Sequence, residues 1–166
     1  MSESRGSSDQ DSPVTVTVIW KDVPDPHHYI DATSYLSLVL DPSTVGPIVE
    51  ALKVAPKQQF KSKDVLRASG LEDLPIDNVH VARDIAKIRS GQPISPVLLV
   101  RGDVQRGIPL VIADGYHRVC AIHDLSEDAE ISCRIVAFPL GDANLGAGGA
   151  HEGQGSAPSP LHDFGL

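Results

Sequence analysis

The chain has 166 residues, 22 of them acidic and 14 basic, for a formal net charge of −8. That length favours one domain and supplies enough chain for a hydrophobic core. No stretch approaches the ~20 consecutive apolar residues of a membrane helix, and the polar opening Met1–Ser12 is not a signal peptide. The expectation is therefore a soluble, cytoplasmic protein without a membrane partner.

Part of the negative charge lies at the ends. Glu3, Asp9 and Asp11 oppose only Arg5 in residues 1–13, and Asp142, Glu152 and Asp163 meet no Lys or Arg in residues 141–166, which leaves −3 on the middle. A domain that grips DNA through many phosphates carries a basic excess instead, so nucleic acid is not the expected partner.

Residues 1–12 are rich in Ser, Asp and Gly, and residues 140–166 in Gly, Ala and Ser. Neither has a core-forming pattern, and both read as disordered tails. They flank one domain over residues 13–139, whose first part, 13–58, forms an N-terminal extension. Val14–Trp20 is a β-branched run bounded by Pro13 and by Pro24-Asp25-Pro26, and it predicts a strand. Residues 24–31 predict a loop. His27-His28 invites a metal reading, but adjacent residues point different ways and no Cys or acidic partner is recognised at helical spacing, so no metal ligand set is expected. Ala32–Leu40 predicts a helix, which Asp41-Pro42-Ser43 ends. A second helix over Thr44–Leu52 follows, with Ser43 as its cap and Val45, Ile48, Val49 and Leu52 on one face. The extension is placed to cover one side of a sheet or to lid a pocket.

Gln59–Lys61 predicts a short strand, and Ser62 predicts the cap of a short helix over Lys63–Leu66. Lys61 and Lys63 are surface charges by default, with phosphate binding as the alternative. Residues 70–78 form an acidic loop with Glu72, Asp73 and Asp77. Asn78 or His80 starts a helix over Val81–Ile88, with Val81, Ile85 and Ile88 inward and Arg83 and Lys87 on the other side. Gly91 suits the left-handed position that closes it. His80 faces either the pocket or solvent. Val97–Val100 and Leu110–Ala113 predict buried strands joined by an exposed loop. A helix from Gly115 to Leu125 turns Val119, Ile122 and Leu125 inward, and Ile131–Ala137 is the last strand. Cys120 and Cys133 lack metal or CxxC spacing and read as small core residues.

The stretch Asp114-Gly115-Tyr116-His117-Arg118 carries the most chemistry. A buried strand runs into a glycine turn and a helix start, where free N–H groups and the helix dipole favour anions. Arg118 can grip two phosphate oxygens through its planar fork, or it can pair with an acid of its own chain. His117 can donate to a phosphate or move a proton near neutral pH. Asp114 is either the helix cap or a carboxylate facing Mg²⁺ on a nucleotide.

The turn Gly115-Tyr116-His117-Arg118, followed by Ala121, resembles the Gly-x-x-Arg turn of the ParB/sulfiredoxin-like superfamily. The upstream run Asp84-Ile85-Ala86-Lys87-Ile88, then Gly91, then Ile94-Ser95-Pro96-Val97-Leu98-Leu99-Val100 is similar to that family's helix, glycine turn and Pro-led strand. The resemblance spans about residues 60–137. It implies an α+β domain with a small mixed sheet that holds phosphate, although fold alone does not set activity. Sulfiredoxins place a catalytic Cys where Tyr116 stands, so sulfinic acid reduction is not expected. Partition ParB proteins follow the domain with a helix-turn-helix module, and here a Gly-rich tail follows. The related free serine kinases carry an Asp-Gly-His-x-Arg turn similar to residues 114–118 with the histidine one place earlier, and a glutamate base for which Glu72 is the nearest candidate.

The resemblance thus implies a nucleotide- or phosphate-binding domain, with small-molecule phosphotransfer as its reaction. His117 and Asp114 take the catalytic roles. Gly115, Tyr116, His117, Arg118, Lys61, Lys63 and His80 hold the ligand, a nucleotide or phosphorylated small molecule, with Mg²⁺ on the nucleotide. The alternatives are a non-catalytic protein-interaction module of the same fold, with a partner left unspecified, and a DNA-associated, metal-dependent nuclease.

Overall fold

A computed structural model describes residues 15–138; the two tails expected at 1–12 and 140–166 lie outside them. The elements in chain order are α1 (Pro26–Val39), α2 (Pro42–Val54), β1 (Lys57–Lys61), α3 (Ser62–Ser69), α4 (Val79–Arg89), β2 (Val97–Val100), a 3₁₀ turn (Val104–Arg106), β3 (Val111–Asp114), α5 (Tyr116–Leu125) and β4 (Glu130–Val136). The described residues therefore form an α+β fold with five helices and one four-stranded mixed sheet. Strand order is β1-β4-β2-β3. β4 runs antiparallel to β1 and parallel to β2, and β2 and β3 are antiparallel with a register shift at Leu98/Leu99.

Helices cover both faces of the sheet. On one face, Ala32 and Leu36 of α1 and Val45, Ile48, Val49 and Leu52 of α2 pack on Leu98, Val100 and Ala113. On the other, α3, α4 and α5 bury Val65, Ile85, Val119 and Ile122 against Val97, Leu99, Ile112, Ile131 and Cys133. All four residues of β2 are buried, which is why it reads as an unbroken apolar run: alternate side chains enter opposite cores. Cys120 and Cys133 are free thiols in the second core. Among the described residues no helix is long and apolar enough to cross a membrane.

Several local expectations are corrected. The strand expected over Val14–Trp20 is, within the described residues, a segment outside the sheet making one parallel bridge, Trp20 to Ile94. Ile94 donates to the Ile19 carbonyl and accepts from Lys21 N–H, at 2.9 and 2.8 Å. Pro93 and Pro96 flank Ile94 and offer no N–H, so the ladder stops there. The loop expected over 24–31 is mostly the first two turns of α1. Pro26 pre-sets the helical φ at the first position and Asp25 stands at the cap. At α2 the cap is Asp41, whose carboxylate accepts from Ser43 N–H at 2.9 Å, rather than Ser43. Ser62 does not cap α3. It is buried and its hydroxyl donates to the carbonyls of Ser126 and Glu127, 3.1 and 2.9 Å away, tying the start of α3 to the turn before β4. Asn78 caps α4 by accepting from the N–H groups of His80 and Val81.

Candidate functional site

The site is built where β3 hands over to α5. Gly115 is the hinge, at φ +100°, a backbone state that side chains oppose. The approach is also close: a Cβ on Gly115 would lie 2.8 Å from Arg118 Nη2 and 3.0 Å from Val97 Cγ2. Gly115, rather than Asp114, occupies the cap position, and no side chain caps the helix. The carboxylate of Asp114 turns away from the first-turn N–H groups and accepts from Arg118 Nη2 at 2.7 Å. His28 Nδ1 lies 3.0 Å from the same Oδ2.

This triangle of Asp114, Arg118 and His28 is largely buried, with side chains 14%, 11% and 11% exposed. Burial works to raise the Asp114 pKa, but His28 and the Arg118 guanidinium outweigh it and hold the carboxyl below its usual value. Of the two expectations for Arg118, pairing within its own chain is the one observed. Its Nη1 lies 3.4 Å from His28 Nε2.

Around the triangle opens a polar cleft of about 430 Å³. Its walls come from five places: the segment before α1 (Lys21 and Asp25), α1 itself (His27, His28 and Asp31), α4 (Arg83, Asp84 and Lys87), the segment before β2 (Gln92 to Ser95), and the β3–α5 turn (Asp114, Gly115, His117 and Arg118). The N-terminal extension thus both covers a sheet face and forms a wall of the cleft. Lys21 pairs with Asp25 at 2.7 Å, and Lys87 with Asp84 at 3.5 Å. Ser95 also donates to Asp25, at 2.9 Å, which locks the entry to α1 onto the segment before β2. The hydrogen bonds from Lys21 and Ser95 hold the Asp25 carboxyl below its usual value. Among the described residues, Arg83 has no ion-pair partner and neither does Asp31.

His117 faces the cleft and packs against His80, ring centroids 4.7 Å apart. Burial first, then the neighbouring His80, pushes the His117 pKa below its usual value. It is therefore neutral at pH 7, able to donate one N–H and accept at the other nitrogen.

The expected residues divide accordingly. Asp114, Gly115, His117 and Arg118 converge on the cleft, and His80 stands beside His117. The Tyr116 side chain does not line it: its hydroxyl donates to the Glu72 carbonyl and its ring packs on the core. Lys61 and Lys63 lie outside the lining and pair with Asp128, 3.0 and 2.7 Å away. Lys63 and then Lys61 hold that carboxyl down to about 2. Glu72 is exposed and outside the lining as well. Sequence reasoning missed Lys21, Asp25 and Asp31, and the placement of Arg83, Asp84 and Lys87. The readable signal was His28-x-x-Asp31, which puts the two side chains on one face once the segment is a helix.

A second cavity, about 870 Å³, lies between α3, β2 and the loop before β3, lined by Phe60, Val65, Leu99, Leu110 and Ile135. It is larger and mostly apolar, with Asp64, Arg67 and Arg101 also in its lining, and contains no residue of the motif. Compared with known proteins, the chain matches no family model, no curated protein and no solved structure.

Proposed function

We propose that the cleft binds the phosphate of a nucleotide or phosphorylated small molecule, and that the chain is a ParB/sulfiredoxin-like domain with phosphotransfer as the reaction this site best suits. The observation that carries the reading is the uncapped N-terminus of α5 at Gly115, opening onto a cleft beside the unpaired Arg83. Its first-turn N–H groups and dipole favour an anion. Neutral His117 adds a donor or a proton acceptor at the same mouth. The continuity of strand, glycine turn and helix at residues 111–125, with a mixed sheet behind it, supports the family resemblance.

In this reading Arg118 positions Asp114 instead of gripping the ligand, because its Nη2 is taken by that carboxylate. The first-turn N–H groups, His117 and Arg83 hold the phosphate, and Mg²⁺ arrives on the nucleotide. The test is isothermal titration and thermal stability with ATP, CTP, AMP and pyrophosphate, with and without Mg²⁺. A ligand at 100 times its Kd adds about 2.7 kcal/mol to stability. Arg83→Ala and His117→Ala should each weaken binding at least tenfold while leaving the fold intact. No binding by any of the four at millimolar concentration would remove the proposal and turn the search to protein partners of a non-catalytic module.

A further inference from the structure

We infer that His28, Asp31 and Asp114 form a binding site for a divalent first-row transition ion, of the Mn²⁺ or Zn²⁺ class, held by the protein without help from a nucleotide. One ligand atom from each of the three lies within 4.8 Å of the others. Their placement follows from the fold: α1 sets Asp31 one turn beyond His28 on the same face, and the packing of α1 on β3 brings both to Asp114.

The second, independent observation is His28 itself. The residue is 9% exposed, and its Nδ1 makes no hydrogen bond although Asp114 Oδ2 is 3.0 Å away. A buried ring nitrogen that meets its carboxylate outside hydrogen-bond geometry is a cost the fold does not ordinarily carry. His28 belongs to a cluster with two carboxylates, one of which, Asp31, has no cationic partner among the described residues. A divalent ion would satisfy the ring nitrogen and neutralise Asp31, the carboxylate of the two that has no cation beside it.

The surroundings suit this. A metal on Nδ1 leaves the ring proton on Nε2, on the side of Asp25 Oδ2, which stands 3.9 Å away and beyond hydrogen-bond reach. The long contact from Arg118 Nη1 to Nε2, 3.4 Å, would then be given up. The Arg118 Nη2 bond continues to hold Asp114 in place. One imidazole and two carboxylates are a mixed donor set. It is too nitrogen-rich for a dedicated Mg²⁺ or Ca²⁺ cage, and three protein ligands leave coordination positions open towards the cleft.

The test uses the full, untagged chain stripped of metal, with Mn²⁺, Zn²⁺ and Mg²⁺ titrated in the absence of any phosphate compound. The expected result is one tightly bound Mn²⁺ or Zn²⁺ per chain and much weaker Mg²⁺. Asp31→Asn, an exposed position that should fold normally, weakens binding at least tenfold. Electron spin-echo spectra of the Mn²⁺ form show the coupling of a coordinated imidazole nitrogen, and His28→Gln abolishes it. The inference is overturned by no binding at millimolar Mn²⁺ or Zn²⁺, by Asp31→Asn binding as the unaltered chain does, or by Mg²⁺ binding equally well. Because phosphate is absent throughout, failure here leaves the phosphate proposal standing, and failure of that proposal leaves this one standing.

Discussion

Replacing Gly115 by alanine separates backbone strain from side-chain crowding at the centre of the site. At φ +100° an alanine carries the left-handed penalty, about 1–2 kcal/mol. Its Cβ would also sit 3.0 and 3.2 Å from the two methyls of Val97, a fully buried residue of β2 with little room to move. Overpacking of this kind costs a further ~1–3 kcal/mol, so Gly115→Ala should lose roughly 2–5 kcal/mol. Gly70 provides the control. It too has a positive φ, +65°, but nothing lies within 4 Å of an added Cβ. Gly70→Ala should therefore lose only about 1–2 kcal/mol, the backbone part alone. Urea unfolding measures both, and the midpoint should move at constant slope. Equal losses in the two variants, or a smaller one at Gly115, would refute the argument that β2 crowds this turn.

Three further outcomes follow from the geometry. Stability should fall on acidification in two stages. The His117 pKa is depressed from 6.5, so the unfolded chain takes that proton first and stability declines as pH drops below about 6.5. The Asp114 pKa is depressed from 3.8, so its contribution is present above that value and is lost as pH falls through the lower, folded one. His117→Gln should remove the first decline in urea titrations at successive pH values, and an unchanged slope between pH 6.5 and 5 would count against it. Burial pushes the thiols of Cys120 and Cys133 up to about 11 and about 12. With about one thiolate in a thousand or fewer at pH 8, neither should react with a disulfide reagent until the chain is unfolded; rapid labelling of the native protein would contradict their burial. Ser62→Ala should cost about 1–2 kcal/mol in urea unfolding, since the hydroxyl bonds to Ser126 and Glu127 vanish while both carbonyls keep a backbone N–H partner. A change under about 0.5 kcal/mol would show that the α3–β4 tie carries no weight.

Much of the fold was legible because its signals are local. The faces Val45, Ile48, Val49, Leu52 and Val81, Ile85, Ile88 repeat at helical spacing, and every one of those residues is buried. The run Val97–Val100 announced a strand covered on both sides. The β3–Gly115–α5 turn was readable because a glycine between an apolar run and a helix start marks a tight turn, and the structure puts it at positive φ. The first turns of α1 were not legible. Pro26-His27-His28-Tyr29 shows no apolar period, and Pro24-Asp25-Pro26 reads as a turn at its start. The helix there rests on the packing of Ala32 and Leu36 against the sheet and not on its own pattern.

The same division separates the motif from the site. Sequence alone determined that a strand, a tight glycine turn and a helix start would bring Asp114, His117 and Arg118 together, because residues within a few positions meet through backbone geometry alone. Only the tertiary structure decided what those groups face. It set α1 against β3, so that His28 and Asp31 reach Asp114 from more than eighty positions away in the chain. It brought Arg83 of α4 to the mouth of the cleft, turned the Arg118 guanidinium onto Asp114, and sent Lys61 and Lys63 to Asp128. Long-range ion pairs depend on which surfaces pack together, and that is set by the burial of the two cores, to which a charged side chain's own sequence neighbours contribute almost nothing.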